Sequence, residues 1–202
     1  AGYCGSAGLG WLLEWMEGAR FTRDDREVLG AQRAPAGDPR FHPDFITWLE
    51  GAGDFSSLEV SAVPEGRVVH PNAPMVTVTG PLAIAQIFET HILNRLNYPT
   101  LIATKASRAS QAARGGMVLE FGLRRGPESG AHVGGYGALV GGADYTSNLA
   151  LSTVMGLDPK GTHAHSMVQA FLALGLGELE AFRRFADLYP DDVGTGIDAH
   201  GA

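Results

Sequence analysis

The hydrophobic positions of the first fifty residues repeat with the period of α-helices. An apolar face is formed by Trp11, Leu12, Trp15 and Met16. Their spacing predicts an amphipathic helix over 9–19 that packs this face into the core. Thr22, followed by acidic residues, is typical of a helix N-cap. After a proline-bounded loop, a further short helix is predicted over 43–50.

The pattern changes to alternating and β-branched residues after Gly53. Three strands are predicted over 58–63, 67–70 and 75–79. The turn Pro64-Glu65-Gly66 joins the first two, which indicates a small antiparallel unit. The next segment predicts a helix that begins at Gly80-Pro81 and ends at Asn97-Tyr98-Pro99, followed by a second helix over 100–114.

From Gly115 onward, strand, loop and helix alternate about four times. Strands are predicted near 117–121, 144–146, 160–163 and 193–198. The helices between them are predicted over 131–140, 148–155, 166–174 and 178–188. This alternation indicates a parallel sheet or a β/α barrel. The ten glycines between Gly115 and Gly142 favour backbone that approaches a ligand, or tight turns between strand and helix.

Charge and composition exclude several classes of function. The chain has 15 Lys and Arg against 22 Asp and Glu, a net charge of −7, which argues against nucleic acid as a partner. No apolar run approaches the roughly 20 residues that span a bilayer, so no membrane helix is predicted. The single cysteine, Cys4, cannot form an intramolecular disulfide or a thiolate metal cage, which favours a cytoplasmic location.

Polar segments follow three consecutive predicted strands, at the edge where a β/α barrel places its active site. These segments are 120–125, 146–148 and 161–166. Arg124 and Arg125 could bind a carboxylate or phosphate, or could be solvated loop cations. Thr146, Ser147 and Asn148 could bind an anion at a helix start, although ordinary N-capping explains them equally well and is favoured.

Two histidines lie in the last of these segments. His163 and His165 are two residues apart and would share a face of an extended chain. With no cysteine or third ligand nearby, acid, base or nucleophilic chemistry is favoured over zinc, and one of the two is expected to be a core histidine. Phe121 could cover a flat ligand beside Arg124 or belong to the core. No phosphate-loop, dinucleotide or metalloprotease motif occurs.

Across most of its length the chain resembles the nicotinate phosphoribosyltransferases. The resemblance is carried, in a fixed order, by 62–66, 71–74, 78–82, 86–90, 93–94, 100–106, 120–125, 141–142, 146–148 and 161–166. It implies an α/β fold of the type II phosphoribosyltransferase class. An α/β sandwich domain is expected over 1–114 and the first half of an irregular β/α barrel over 115–202.

The resemblance also implies a reaction. Nicotinate and phosphoribosyl pyrophosphate would be joined to give nicotinate mononucleotide for NAD synthesis, coupled to ATP hydrolysis with Mg²⁺. His165 would be the catalytic histidine that ATP phosphorylates. Substrate-binding roles fall on Phe121, Arg124, Thr146, Ser147 and Ser166, and phosphate-binding roles on Arg125 and Asp198. No side chain is assigned to a metal. The Ser147 hydroxyl suits a carboxylate, which favours nicotinate over nicotinamide.

The chain departs from the family in its extent. Family members are about twice as long, and only Asp198 matches the family's run after the last predicted strand. Half a barrel would leave an exposed sheet edge, so a homodimer partner or a second chain is expected to cover it. The alternative to an enzyme is a non-catalytic protein of the same fold that binds a pyridine carboxylate or serves assembly. Transfer to another heteroaromatic acid is a third possibility.

Overall fold

The computed structural model describes residues 2–190, which form eight α-helices and six short β-strands. The helices are α1 Leu9–Gly18, α2 Arg23–Ala31, α3 Pro43–Ala52, α4 Leu82–Ala113, α5 Glu128–Val140, α6 Leu149–Met155, α7 His165–Ala173 and α8 Glu178–Leu188. The strands are β1 Cys4–Gly5, β2 Glu59–Ala62, β3 Val68–Val69, β4 Val76–Thr79, β5 Leu119–Glu120 and β6 Tyr145–Thr146. A 3₁₀ turn spans Gly122–Arg124.

The three predicted N-terminal helices are confirmed. Helix α2 begins with a capping box, in which the Thr22 hydroxyl accepts the Asp25 N–H at 3.1 Å and the Asp25 carboxylate accepts the Thr22 N–H at 2.9 Å. This reciprocal pair satisfies backbone donors that have no partner within the helix. Helix α3 begins at Pro43, whose fixed φ suits the first helical position.

The three predicted strands do not form one antiparallel unit. Strand β2 pairs antiparallel with β4, with Glu59 opposite Thr79, whereas β3 pairs antiparallel with β1. Backbone hydrogen bonds from Ser6 to Arg67 and from Gly66 to Ser6 hold the turn after β2 against the N-terminal segment. The sequence pattern could not show this, because the partner of β3 is a two-residue strand about sixty residues earlier.

Large apolar side chains form the core between α1, α4 and the β2–β4 pair. Its buried members are Leu12, Phe55, Ile84, Phe88 and Leu96. Trp15 packs over this cluster, with its ring centroid 5.2 Å from that of Phe55 and 6.1 Å from that of Phe88. The predicted apolar face is thus confirmed for Leu12, Trp15 and Met16, whereas Trp11 packs on Tyr136 of α5 outside this cluster.

Helix α4 continues through Pro99, contrary to the prediction of two helices. Pro99 has no N–H to donate to the carbonyl of Arg95, which normally ends or kinks a helix. Here Pro99 is buried, and Gly8, at a φ of 99°, lies so close that a Cβ there would overlap the Arg95 carbonyl. Tertiary packing on both sides of the proline therefore keeps the 32-residue helix continuous.

The glycines of α5 allow it to pack closely against α4. A Cβ at Gly137 would lie 2.6 Å from the Pro99 carbonyl oxygen, and one at Gly141 would overlap the Ala103 carbonyl. These two glycines therefore serve contact between helix backbones, whereas their density in the sequence favoured a ligand or tight turns. Helix α4 lies before the predicted domain boundary at 114/115 and α5 lies after it, so the two predicted domains are in contact here. The boundary itself stays a prediction.

Strands β5 and β6 form a parallel pair, as predicted, with Leu119 opposite Tyr145 and Glu120 opposite Thr146. The prediction of a strand over 160–163 is wrong. The Lys160 N–H donates to the Thr146 carbonyl at 3.1 Å. Among the described residues, however, no β-strand forms between this bond and the start of α7. The strand predicted over 193–198 lies outside the described residues. Within 2–190, no helix is both long and apolar enough to cross a membrane.

Candidate functional site

The ends of β5 and β6 bring two of the three predicted polar segments together. The strands are parallel and in register, so the residues that follow them lie at the same edge. These residues are Phe121 and the 3₁₀ turn after β5, and Ser147 and Asn148 after β6. The Ser147 N–H donates to the Glu120 carbonyl at 3.0 Å, which extends the pairing by one residue beyond the strands. The geometry thus matches the rule that parallel strands gather polar groups at their carboxyl ends.

A carboxylate that the sequence did not single out connects the two segments. Thr146 donates its hydroxyl proton to Glu120 Oε2 at 2.6 Å, and the Gly122 N–H donates to Glu120 Oε1. The Thr146 hydroxyl also accepts the Asn148 N–H at 3.1 Å, so its proton is directed towards Glu120. An acidic residue that ends an otherwise apolar strand was the only signal in the sequence.

Thr146 lies deeper than a substrate-binding role requires. Its side chain is fully buried and its hydroxyl is bonded to Glu120, while its carbonyl accepts the Lys160 N–H. Ser147, the next residue, is half-buried. The arrangement therefore makes Ser147 the more accessible of the two hydroxyls.

Phe121, Arg124 and Arg125 are exposed at the strand ends. Phe121 is 46% exposed, so its ring is accessible. The Arg125 N–H closes the 3₁₀ turn by donating to the Gly122 carbonyl at 2.8 Å. Within 2–190, neither guanidinium lies within ion-pair distance of a carboxylate.

Asn148 confirms the N-capping interpretation of its segment. Its side-chain oxygen accepts the Leu151 N–H at 3.2 Å at the start of α6. Its amide nitrogen lies 3.5 Å from His132 Nδ1, on α5. Asn148 therefore joins α6 to α5 next to the strand ends.

The third polar segment, 161–166, follows Lys160, whose N–H donates to the Thr146 carbonyl. His165 and Ser166 are the first residues of α7, and both are exposed. Within the described range, no hydrogen bond joins either side chain to Phe121, Arg124 or Ser147. Asp198 lies outside the described residues.

The two histidines differ in their surroundings. His163 packs on α8, with its ring centroid 5.1 Å from that of Phe182 in an edge-on contact. Its neighbour His165 is exposed at the start of the preceding helix, α7. His163 is half-buried beside α8 but does not belong to the buried core, so the expectation of a core histidine is not confirmed. The imidazole of His165 is accessible.

An apolar cleft of about 520 Å³ opens beside the 3₁₀ turn. It is lined by Trp11, Leu123, Glu128, Ser129, His132, Val133, Asn148 and Ala150. Trp11 stacks on Tyr136 and His132, at centroid distances of 4.3 and 5.7 Å. Asn148, one of the three residues considered for an anion site, lines it, but within 2–190 none of the residues to which the resemblance gives a role does so.

Tyr136 connects this cleft to the N-terminal region. Its hydroxyl donates to Glu65 Oε2 at 2.6 Å, and Glu65 Oε1 accepts the Gly8 and Leu9 N–H groups at the start of α1. Burial, together with the hydrogen bond and charge of Glu65, raises the pKa of Tyr136 above its usual value of 10. One carboxylate therefore holds α1, α5 and the turn after β2 together.

Comparison with known proteins finds similarity to nicotinate phosphoribosyltransferases. Residues 1–97 match the nicotinate phosphoribosyltransferase (NAPRTase) N-terminal domain. The nicotinate phosphoribosyltransferase pncB2 of Mycobacterium tuberculosis is 39% identical over 190 residues, covering 93% of this chain and 38% of that protein. The nicotinate phosphoribosyltransferase of Bacillus subtilis is 38% identical over 193 residues, covering 95% and 37%.

A solved structure shows the same relationship at the level of the fold. The crystal structure of human nicotinic acid phosphoribosyltransferase superposes with a TM-score of 0.72 at 27% identity, over 93% of this chain and 45% of that chain. This confirms the predicted α/β, type II phosphoribosyltransferase fold. The chain thus spans less than half the length of these relatives.

Proposed function

Because the chain is related in sequence and fold to the N-terminal part of the nicotinate phosphoribosyltransferases, we propose that it provides the nicotinate-binding side of such an enzyme. The reaction joins nicotinate to phosphoribosyl pyrophosphate and yields nicotinate mononucleotide for NAD synthesis. The observation that carries the proposal is the convergence of the 3₁₀ turn and Ser147 at the ends of the parallel strands β5 and β6.

The exposed groups at this edge suit a pyridine carboxylate. The Phe121 ring offers an accessible aromatic face for the pyridine, and the Arg124 guanidinium offers a charge-assisted hydrogen bond to the carboxylate. Ser147 adds a hydroxyl without a second negative charge, which favours nicotinate over nicotinamide. Thr146 stabilises the strand end that carries these groups, because its own hydroxyl is bonded to Glu120.

The remaining roles concern phosphate. Arg125, adjacent to Arg124 and equally exposed, is the candidate for a substrate phosphate. The accessible imidazole of His165 is the candidate to accept the γ-phosphoryl group of ATP, with ADP as the leaving group, and Ser166 lies beside it. Asp198 keeps the phosphate-binding role that the resemblance implies.

The described residues do not form a Mg²⁺ cage of their own. Mg²⁺ prefers carboxylate and water oxygens in octahedral geometry, and within 2–190 no three His, Cys, Asp or Glu side chains converge. The half-buried carboxylate of Glu120 is already bonded to Thr146 and Gly122. No step of the reaction is therefore assigned to a metal held by these residues.

An exposed apolar surface on α7, α8 and the turn between them supports the expectation of a further partner. Leu172, Leu174, Leu176, Leu179 and Leu188 are each more than half exposed. Such a concentration of exposed leucines is typical of a surface that another element covers. The rest of a barrel, supplied by the same protein, a second chain or a homodimer partner in the cytoplasm, would bury it.

The second candidate is a binding protein without catalysis. It is favoured by one observation on the described residues, namely that no hydrogen bond joins His165 to Phe121, Arg124 or Ser147 at the strand ends. Such a protein would bind nicotinate at the strand ends but would not turn over phosphoribosyl pyrophosphate.

Titration calorimetry of the 202-residue chain with nicotinate tests the binding site. We expect nicotinate to bind more tightly than nicotinamide, and Arg124→Ala to weaken nicotinate binding by about tenfold or more, as loss of a charge-assisted hydrogen bond does. Arg40→Ala, which changes an exposed arginine of the N-terminal loop, is the matched control. Equal affinity for the two pyridines, or equal effects of the two substitutions, would contradict the proposal.

Nucleotide formation from nicotinate, phosphoribosyl pyrophosphate and ATP separates the two candidates. We expect His165→Ala to lose the coupling to ATP, while His70→Ala, at another exposed histidine, retains it. Nicotinate binding without nucleotide formation would support the non-catalytic candidate.

A further inference from the structure

The carboxylate of Glu120 is hydrogen-bonded to both segments of the strand-end site, the 3₁₀ turn after β5 and the end of β6. Its Oε1 accepts the N–H of Gly122 in the 3₁₀ turn, and its Oε2 accepts the hydroxyl of Thr146 on the neighbouring strand. The two donors are separated by 24 residues in the sequence and are brought together by the register of β5 and β6. One side chain thus bonds to the segment that carries Phe121 and Arg124 and to the segment that carries Ser147.

The surroundings of Glu120 leave room for this arrangement. A Cβ at Gly135 of α5 would lie 3.3 Å from Glu120 Oε2 and 2.8 Å from Leu151 Cδ2, so a larger residue there would push against the carboxylate. Within the described part of the chain, no cation lies within ion-pair distance of Glu120. Its charge is therefore balanced by directed N–H and O–H donors, which fix its orientation more narrowly than a surface ion pair would.

We infer that Glu120 is a positioning residue that holds the 3₁₀ turn in register with Ser147. The inference rests on the proposed function, because the groups that it positions are those proposed to bind nicotinate. It assigns Thr146 to the same task, since the Thr146 hydroxyl is directed to Glu120 by the Asn148 N–H. Neither side chain needs to touch the ligand.

A threonine series tests this positioning. Thr146→Val keeps the shape of the side chain and removes the donor, whereas Thr146→Ser keeps the donor. We expect Thr146→Val to weaken nicotinate binding by about tenfold and to speed hydrogen exchange of the Gly122 amide by about the same factor, as loss of a charge-assisted hydrogen bond does. Thr146→Ser should restore most of both. Thr153→Val, which removes a hydroxyl bonded to the Leu149 carbonyl at 2.9 Å on α6, should change neither.

Amide exchange in the N-terminal core separates a local effect from general unfolding. The Leu12 N–H donates to the Gly8 carbonyl at 3.1 Å, far along the chain from the site. If Thr146→Val acts through position, Gly122 exchange rises while Leu12 exchange stays unchanged. Equal acceleration of both amides, with no rescue by Thr146→Ser, would overturn the inference and leave Thr146 a merely structural residue.

A double substitution provides a second, independent measure. If Glu120 and Thr146 act together, Glu120→Ala combined with Thr146→Val should weaken nicotinate binding little more than Glu120→Ala alone. Additive losses would overturn the coupling.

The outcomes separate the inference from the proposed function. If the unaltered chain binds nicotinate and Thr146→Val changes neither affinity nor Gly122 exchange, the positioning role is wrong and the proposed function stands. If the unaltered chain binds no nicotinate, the proposed function fails. The exchange of Gly122 in the threonine series then decides the positioning role by itself.

Discussion

The N-terminal core and the α4–α5 interface stabilise the molecule in opposite ways. The core buries large side chains such as Phe55 and Phe88, whose ring centroids lie 5.3 Å apart. At the interface, Gly137 and Gly141 let the backbones approach closely, and Gly134 makes room for the Tyr98 side chain. Large side chains stabilise by the apolar area that they bury, whereas glycines stabilise because they have no side chain and so permit close packing of backbones. Truncation of a side chain should therefore be damaging in the core, and enlargement of a glycine should be damaging at the interface.

Truncation in the aromatic core should have the largest effect. Phe88 is fully buried among Trp15, Phe55 and other apolar residues, so Phe88→Ala removes apolar contacts and leaves a cavity. We expect the free energy of unfolding to fall by about 3–5 kcal/mol. Urea unfolding followed by far-UV circular dichroism measures it.

The matched control is Leu82→Ala, on the same helix. Leu82 is 81% exposed, and its truncation should change stability by less than about 0.5 kcal/mol. Similar losses for the two variants would show that burial does not govern stability in this region.

Enlargement at the interface should have the next largest effect. At Gly137 a Cβ would lie 2.6 Å from the Pro99 carbonyl oxygen, and α4 and α5 would have to separate. We therefore expect Gly137→Ala to lower the free energy of unfolding by about 1–3 kcal/mol, as overpacking does. The same urea titration measures it.

Gly30→Ala is the control for the effect of alanine itself. Gly30 lies within α2, and a Cβ there would meet nothing within 4 Å. This substitution should stabilise the protein by about 0.4–1 kcal/mol, because alanine restricts the unfolded chain more than glycine does. If Gly137→Ala were stabilising as well, close backbone approach could not be what holds α5 to α4.

The same contrast explains which parts of the fold the sequence could predict. Local signals set the helices: the period of Trp11 and Trp15 predicted α1, and the Thr22 cap predicted α2. The prediction of the elements failed where contacts with residues distant in the sequence determine the local structure. Pro99 remains helical because Gly8 and Gly137 pack against it, and β3 pairs with a strand about sixty residues earlier.

The candidate site shows the same limit. The alternation of strand and helix predicted that 120–125 and 146–148 meet, and β5 and β6 confirm it. The role of Glu120 could not be predicted, because an acidic residue in sequence gives no sign of which donors face it. Nor could spacing tell His163 from His165, since the difference depends on Phe182 of α8.

The smallest effect is expected where a polar contact joins the two regions. Tyr136→Phe removes the hydrogen bond to Glu65, which should lower the free energy of unfolding at neutral pH by about 1 kcal/mol.

The same substitution should also change the pH dependence of the free energy of unfolding, because burial and Glu65 raise the pKa of Tyr136 in the folded protein. Above about pH 10 the unfolded chain loses this proton while the folded protein keeps it. Stability contributed by Tyr136 is therefore present at lower pH and is lost as the pH rises.

Urea titrations between pH 8 and pH 11 test this linkage. The unaltered protein should lose stability above pH 10 more steeply than Tyr136→Phe does. Tyr3→Phe is the control of opposite sign, because a hydrogen bond with Ser107 lowers the pKa of Tyr3 in the folded protein. Ionised Tyr3 favours the folded state as the pH rises, so its removal should make the alkaline loss steeper. Parallel profiles for all three proteins would mean that Tyr136 keeps its ordinary pKa, and that Glu65 does not join α5 to the start of α1 in solution.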